Sequence, residues 1–273
     1  MTGTDPVLRL DVGDHVSHVV LNRPDKLNAL DETARLSLVE TIQDCGADDG
    51  VHVIVIRGEG RAFCAGADAS NPNEGSRDGA WADRLSMSDR GWGQFLVAWD
   101  VPKPVIAQVH GVCLGIASIL CNLCDIVVAA EDARIGWPKL PLGGGVISPT
   151  WVWHVGMHRA KELSYQIGSE ISGVEAAQWG FANRAVPADR LDGEVDGLAR
   201  SIARVPLDLL RLKKEALNQV YDNMGFRQAV LNGSLWGALS HDLPSAGEVR
   251  SLIGEVGLRD AIAHYRHGQP RPG

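Results

Sequence analysis

The chemistry-bearing stretch of the chain is Pro104-Val105-Ile106-Ala107-Gln108-Val109-His110-Gly111-Val112-Cys113-Leu114-Gly115-Ile116-Ala117-Ser118-Ile119. It starts as an apolar run of strand length, turns at Gly111 and enters a small-residue segment that reads as the start of a buried helix. The first turn of a helix has N–H groups with no internal acceptor. Negative charge developing on a ligand is stabilised at such a point. Metal chemistry has less support. Cys121 and Cys124 form a C-x-x-C, but no second pair or nearby His pair completes a zinc set, so they read as buried helix cysteines. His110 reads as bonded to a neighbouring loop, and His154 and His158, flanking a helix break beside Trp151 and Trp153, as core or subunit-contact residues.

The elements that must position this stretch alternate between strand and helix. Val16 to Leu21 reads as a strand ending in the turn cluster Asn22-Arg23-Pro24-Asp25-Lys26. Asp31 reads as the N-cap of an amphipathic helix through Leu36, Leu38, Val39 and Ile42. Strands follow at Val51 to Ile56, at 125–129 and at Ala133 to Gly136, with a polar Gly-rich loop at Asn71 to Gly79 and a helix from Ala80 to Trp99. Trp81, Trp92 and Trp99 stand at near-helical spacing, which reads first as core. Trp137 to Ile147 reads as an irregular Pro/Gly loop. Helical patterns cover 149–156, 158–167 and 174–179, with a short strand at Arg184-Ala185-Val186. Beyond it only helices are expected, at 190–203, 206–223, 226–239 and 244–265. The chain therefore divides into an α/β part, 1–190, and a helical region, 191–273. The second part is too small for a comfortable core of its own and should pack on the first or on a neighbouring subunit.

Composition narrows the class. The 273 residues are 45% hydrophobic and 22% charged, with 26 Lys+Arg against 34 Asp+Glu and a net charge of −8. An acidic chain is a poor general nucleic-acid binder. No apolar run is long enough for a membrane span, and the N-terminus lacks a basic, apolar signal region. The expected address is cytoplasmic, with the five scattered cysteines as reduced thiols.

Several motifs together resemble the crotonase (enoyl-CoA hydratase/isomerase) superfamily. They are Asn22-Arg23-Pro24 with Leu27-Asn28-Ala29-Leu30, then Gly60-Arg61-Ala62-Phe63-Cys64-Ala65-Gly66-Ala67-Asp68. Lys103-Pro104-Val105-Ile106-Ala107, His110-Gly111, Gly115, Cys124-Asp125-Ile126 and Ser172-Gly173-Val174-Glu175-Ala176-Ala177 with Gly180 continue the match, which spans about residues 7 to 266. The resemblance implies a crotonase-like spiral of ββα repeats with a helical C-terminal trimerisation region. The assembly would be a homotrimer or a dimer of trimers. It implies acyl-CoA thioesters as substrates, with coenzyme A as part of the substrate and no other cofactor or metal. It also implies an oxyanion hole from two backbone N–H groups, at Ala67 and Ile116 by motif position. Each such donor is worth roughly 3–4 kcal/mol. The CoA moiety would lie along Lys26, Leu27 and Ala29 and along Ala65 to Asp68, with Lys26 a phosphate partner. Trp92 and Phe95, in the segment that covers the acyl chain in relatives, would shape its pocket together with Trp137.

The chain departs from the hydratase pattern at both proton-transfer positions. The two glutamates that position water in hydratases fall here on Ile119 and, in Gly136-Trp137-Pro138-Lys139, on Lys139. Losing one positioned acid or base typically costs about 10²–10⁴-fold, and the Δ3,Δ2-isomerase reaction also uses a carboxylate near the second position. The residues therefore point away from simple hydration. Lys139, in an apolar setting beside Trp137, could act as an acid or base or pair with a substrate carboxylate. Those options suit C–C cleavage of a β-dicarbonyl compound and decarboxylation, respectively. The bland alternative has Lys139 facing solvent. Two other functions remain open: an inactive acyl-CoA-binding protein, and a serine hydrolase using Ser118, for which capping or packing is the bland alternative.

Overall fold

A computed structural model of the chain describes residues 5–68, 93–137, 139–141, 149–241 and 243–267. Strands β1 (Val7–Gly13) and β2 (Val16–Leu21) form an antiparallel hairpin. Beside it run β3 (Val53–Gly58), β4 (Val105–Val109), β6 (Ile126–Ala130) and β9 (Arg184–Val186), all parallel, in the order β1-β2-β3-β4-β6-β9. β4 is buried along its whole length, as expected of a parallel strand covered on both faces. Helix α1 (Glu32–Ala47) lies against β1 and β2. Its N-terminus is capped by Asp31, whose carboxylate accepts the Ala34 N–H at 2.8 Å.

A second, smaller sheet carries β5 (Val112–Leu114), β7 (Arg134–Gly136) and β8 (Glu170–Ser172). Two single bridges extend it, Cys64 to Cys113 and Leu30 to Ala67. Each repeat thus gives a long strand to the first sheet and a short segment to the second. Helix α3 (Ile116–Leu123) then follows β4 and β5, as α1 follows β2 and Leu30. These are the ββα units expected of the spiral.

Three strands of this plan leave little periodic signal. Residues 112–114 do not begin a helix, as expected from the small-residue pattern, but form β5. Gly111 redirects the chain between sheets, and a second turn at Gly115 starts α3. β8 and β1 were not expected either.

Helix α2 (Leu96–Asp100) precedes β4, and α4 (Thr150–Val155), α5 (Met157–Tyr165) and α6 (Gly173–Trp179) complete the α/β part. The helical region holds α7 (Leu191–Ala203), α8 (Leu207–Asn223), α9 (Phe226–His241), α10 (Pro244–Val256) and α11 (Leu258–His267). The expected helix over 244–265 is broken at Gly257. α7 is laid on β3, β4 and β6, and Leu191, Val195, Ala199, Ala203, Phe226 and Val230 belong to the main core, which therefore runs across residue 190. No helix among the described residues is long and apolar enough to cross a membrane. All five cysteines are unpaired and buried.

Two buried lysines tie the layers together. Lys103 Nζ donates to the Cys45 carbonyl at 2.8 Å and to the Asp48 carbonyl, closing the C-terminus of α1. Lys214 of α8 reaches the Ala98 and Lys103 carbonyls and the Asp125 carboxylate at 2.8 Å. Burial pushes the Asp125 carboxyl above its usual range, and Lys214 opposes that shift.

Candidate active site

Four backbone segments, 27–30, 64–68, 112–116 and 135–137, lie side by side. Leu27 O accepts the Ala65 N–H at 2.9 Å, and Gly66 O accepts the Leu30 N–H at 2.8 Å. The Asp68 N–H donates to Leu30 O at 3.0 Å. In a trans peptide the carbonyl and the following N–H point opposite ways. With Gly66 O turned to Leu30, the Ala67 N–H therefore faces away from that segment, and Ala67 itself is exposed.

The next segment fills the other side. At Gly66, φ is +98°, and an added Cβ would stand 2.7 Å from Leu114 O and 3.8 Å from Ile116 N. Only glycine permits both this conformation and this approach. Gly115, at φ +56° and ψ −121°, turns the chain into α3. Its N–H donates to Gly136 O at 2.9 Å. Its carbonyl accepts the Ser118 N–H at 3.0 Å and the Ser118 hydroxyl at 2.7 Å. The same peptide geometry sends the Ile116 N–H out of the helix start. Among the described residues, no backbone carbonyl accepts from Ala67 N–H or Ile116 N–H.

The 22–30 loop that braces Ala65 to Asp68 is itself strained and heavily bonded. Leu27 and Asn28 have φ of +52° and +56°, a costly conformation for leucine. Asn28 offsets this: its amide donates to Glu59 O and Ala62 O at 2.9 and 2.7 Å, and its side-chain carbonyl accepts the Arg23 N–H. The Arg23 guanidinium pairs with Asp31 at 2.8 Å and Asp68 at 3.1 Å and donates to Ala29 O. Arg23 stands in the quoted motifs, yet the sequence alone assigned it no task, and it put Asn28 only in the loop along which CoA would lie. The signal was a cation flanked by Asp31 and Asp68, legible only once the loop is closed.

The expected site residues fall into groups. Ala65, Ala67, Asp68, Leu27, Ala29 and Ile116 come together in this backbone cluster. Asp68 spends its carboxylate on Arg23, and Lys26 is exposed at the end of a short 3-10 turn. Phe95 is fully buried in the main core, in a short turn packed against α3 and α9. Trp92 and Trp81, the 71–79 loop and most of the expected 80–99 helix lie outside the described residues. Trp99 is core, 4.6 Å from Phe226. Trp137 is buried, with its ring 5.9 Å from Trp151.

Lys139 departs from the apolar setting expected of it. Its ammonium lies 3.5 Å from Glu170, which Arg134 also holds at 2.6 Å, and 31% of its side chain is exposed. The stem packs on Gly168, so the cation belongs to an ion-pair cluster at the β7–β8 edge. Ile119 is buried in the core. Ser118 has no free role: its hydroxyl donates to Gly115 O and accepts from Trp151 Nε1 at 3.1 Å. His110 lies 2.9 Å from Gly60 O, and His154 lies 3.2 Å from Asn122 O with its ring edge-on to Phe226. Burial pushes the Cys64 thiol up to about 12, so it is inert as a nucleophile at neutral pH.

A two-sheet ββα spiral with paired glycine turns at the start of a buried helix defines the crotonase class of acyl-CoA proteins. The family model for enoyl-CoA hydratase/isomerase matches residues 11–246, and the chain belongs to that family. The chain is similar to 1,2-epoxyphenylacetyl-CoA isomerase of Escherichia coli, at 32% identity over 76% of this chain and 80% of that one. It is also similar to a mevalonyl-coenzyme A hydratase of Aspergillus fumigatus, at 29% identity over 79% of each chain. The crystal structure of an enoyl-CoA hydratase/isomerase from Xanthobacter autotrophicus matches with a TM-score of 0.88 and 30% identity, covering 97% of this chain and 98% of that one.

Proposed function

We propose that the protein binds an acyl-CoA thioester with its carbonyl oxygen between Ala67 N–H and Ile116 N–H and stabilises the enolate formed there. The supporting observation is the approach of Gly66 to within 3.8 Å of Ile116 N, measured from the Cβ it lacks, with both following amides turned away from their own segments. Preorganised donors act where charge develops and lower the barrier by roughly 3–4 kcal/mol each. The 27–30 and 65–68 loops would carry the CoA moiety, with Lys26 free to meet a phosphate.

The reaction is one other than simple hydration, of the decarboxylation or C–C cleavage type. Both leave electrons on the α-carbon and need an enolate sink. Decarboxylation releases CO₂ and requires no carboxylate at 119 or 139, where this chain has a buried isoleucine and a lysine held by Glu170; C–C cleavage requires in addition a water that attacks the C3 carbonyl and gives up its proton, leaving a free acid and the shortened acyl-CoA. Lys139 enters as a cation that a substrate carboxylate could attract away from Glu170. The assembly is a homotrimer or dimer of trimers. Leu212, Leu217 and Val220 on α8 stand exposed, as do Met224 just past its end and Trp236 on α9, which supports burial between copies.

Crotonyl-CoA turnover, with products identified by mass spectrometry, tests this reading. No 3-hydroxybutyryl-CoA is expected, while acyl-CoA raises the melting temperature and malonyl-type or 3-oxoacyl thioesters are consumed. Hydration of crotonyl-CoA at an ordinary enzyme rate would overturn it.

A further inference from the structure

The larger sheet ends on β1, and the outer edge of that strand is bare. Among the described residues, no strand other than β2 pairs with β1. The strand reads Val7-Leu8-Arg9-Leu10-Asp11-Val12-Gly13. Its second half is exposed, with Leu10 at 42% and Val12 at 38%. A bare edge presents unpaired N–H and C=O groups to any second strand.

The partners of β1 fix which way its side chains face. The Arg9 guanidinium lies 2.9 Å from Asp11 and also pairs with Asp48 at the end of α1. Asp11 stands opposite Ser17, whose hydroxyl accepts from the Cys45 thiol of α1. Arg9 and Asp11 therefore share the α1 face. Leu10 stands opposite His18, which lies 3.4 Å from Asp196 of α7, so Leu10 and, two residues before it, Leu8 belong to the α7 face. Around Leu10 the order is thus apolar, cation, apolar, anion, apolar. Set antiparallel on a copy of itself and centred on Leu10, the strand opposes Leu10 to the partner's Leu10, Leu8 to the partner's Val12 and Arg9 to the partner's Asp11. Centring on Arg9 or on Asp11 would oppose like charges, which is destabilising.

We infer that the free edge of β1 is an interaction surface for a second copy of this chain, paired antiparallel about a two-fold axis at Leu10. The same strand then serves both sides of the contact, as a two-fold interface requires. Charged residues on an edge ordinarily keep copies apart. Here the one register that covers Leu10 also sets each Arg9 on an opposite charge. The bulge between Asp11 and Gly13 bends the strand and confines pairing to the residues around Leu10. So short a contact gains strength when each assembly carries several edges. Within the assembly proposed above it selects the dimer of trimers, and it stands apart from the acyl-CoA site.

Cross-linking of the purified full-length Leu10→Cys variant tests it. Directly opposed residues of antiparallel strands have Cα atoms about 4.5–5.5 Å apart, within reach of a disulfide, and the five native cysteines are buried. Oxidation with copper phenanthroline is expected to give a covalent dimer on a non-reducing gel. Leu36→Cys, at a position 44% exposed on α1, is expected to stay unlinked. Light scattering should give Leu10→Lys half the mass of the wild type, with an unchanged circular dichroism spectrum. No cross-link at Leu10 (the result if the edge serves another protein or none), equal cross-linking at Leu36, or a Leu10→Lys mass equal to that of the wild type would overturn the proposal. None of these results bears on acyl-CoA binding.

Discussion

At the scale of single residues, Gly66 is the position that cannot change. Gly66→Ala combines a positive φ with a Cβ 2.7 Å from Leu114 O. The expected outcome is a loss of about 1–3 kcal/mol in urea unfolding together with loss of acyl-CoA binding; a variant that binds normally would show that the two turns do not form one site. Ser118→Ala strands Trp151 Nε1, with an expected cost of about 1–3 kcal/mol in the same assay. The wild type should not react with a fluorophosphonate probe, and labelling that vanishes in Ser118→Ala would restore the hydrolase alternative. The turns at Gly66 and Gly115 were legible in the sequence, and the resemblance put the two proposed donors beside them. The surroundings of Lys139 were not, because Glu170 comes from a strand too short to show a period and meets Lys139 only through tertiary packing.

At the scale of elements, the site depends on how helices are fastened to the sheets. Lys214 brings α8 to the Asp125 carboxylate and to the carbonyls that flank β4. Lys214→Met leaves Asp125 buried without its cation, and a loss of about 3–5 kcal/mol is expected from chemical denaturation. Asp125→Asn in the same background should recover part of it, since the uncompensated charge is then gone; no recovery would mean that lost packing dominates. Long elements were readable from pattern and caps: α1 begins after Asp31, and β3 and β4 follow their apolar runs. The three-residue strands β5 and β8 were not, because their pairing is decided by partners distant in sequence. The break at Gly257 was missed because the apolar pattern continues across it.

At the scale of the whole molecule, buried histidines set a pH limit. Burial pushes His18 and His154 below the ordinary histidine value of 6.5. The unfolded chain then takes up protons before the folded one, so stability is full above pH 6.5 and falls as the pH drops below it. Thermal melts at pH 7.5 and 5.5 should show the decline, and His154→Phe should flatten it; an unchanged slope would place the acid sensitivity elsewhere. The exposed apolar residues on α8 and α9 predict trimers or hexamers by light scattering at micromolar concentration, and a stable monomer would contradict that assembly. That two layers, a spiral and appended helices were foreseeable reflects motif order along nearly the whole chain. That the core runs through residue 190 was not, since α7 reads like any amphipathic helix until it is seen on β3 and β4.

The most direct test of the central claim is the infrared carbonyl stretch of a ¹³C=O-labelled acyl-CoA bound to the protein. Two amide donors on one oxygen polarise the thioester carbonyl, so a downward shift from its frequency in water is expected, lost in Gly66→Ala. A bound thioester with the frequency it has in water would contradict the assignment of Ala67 and Ile116.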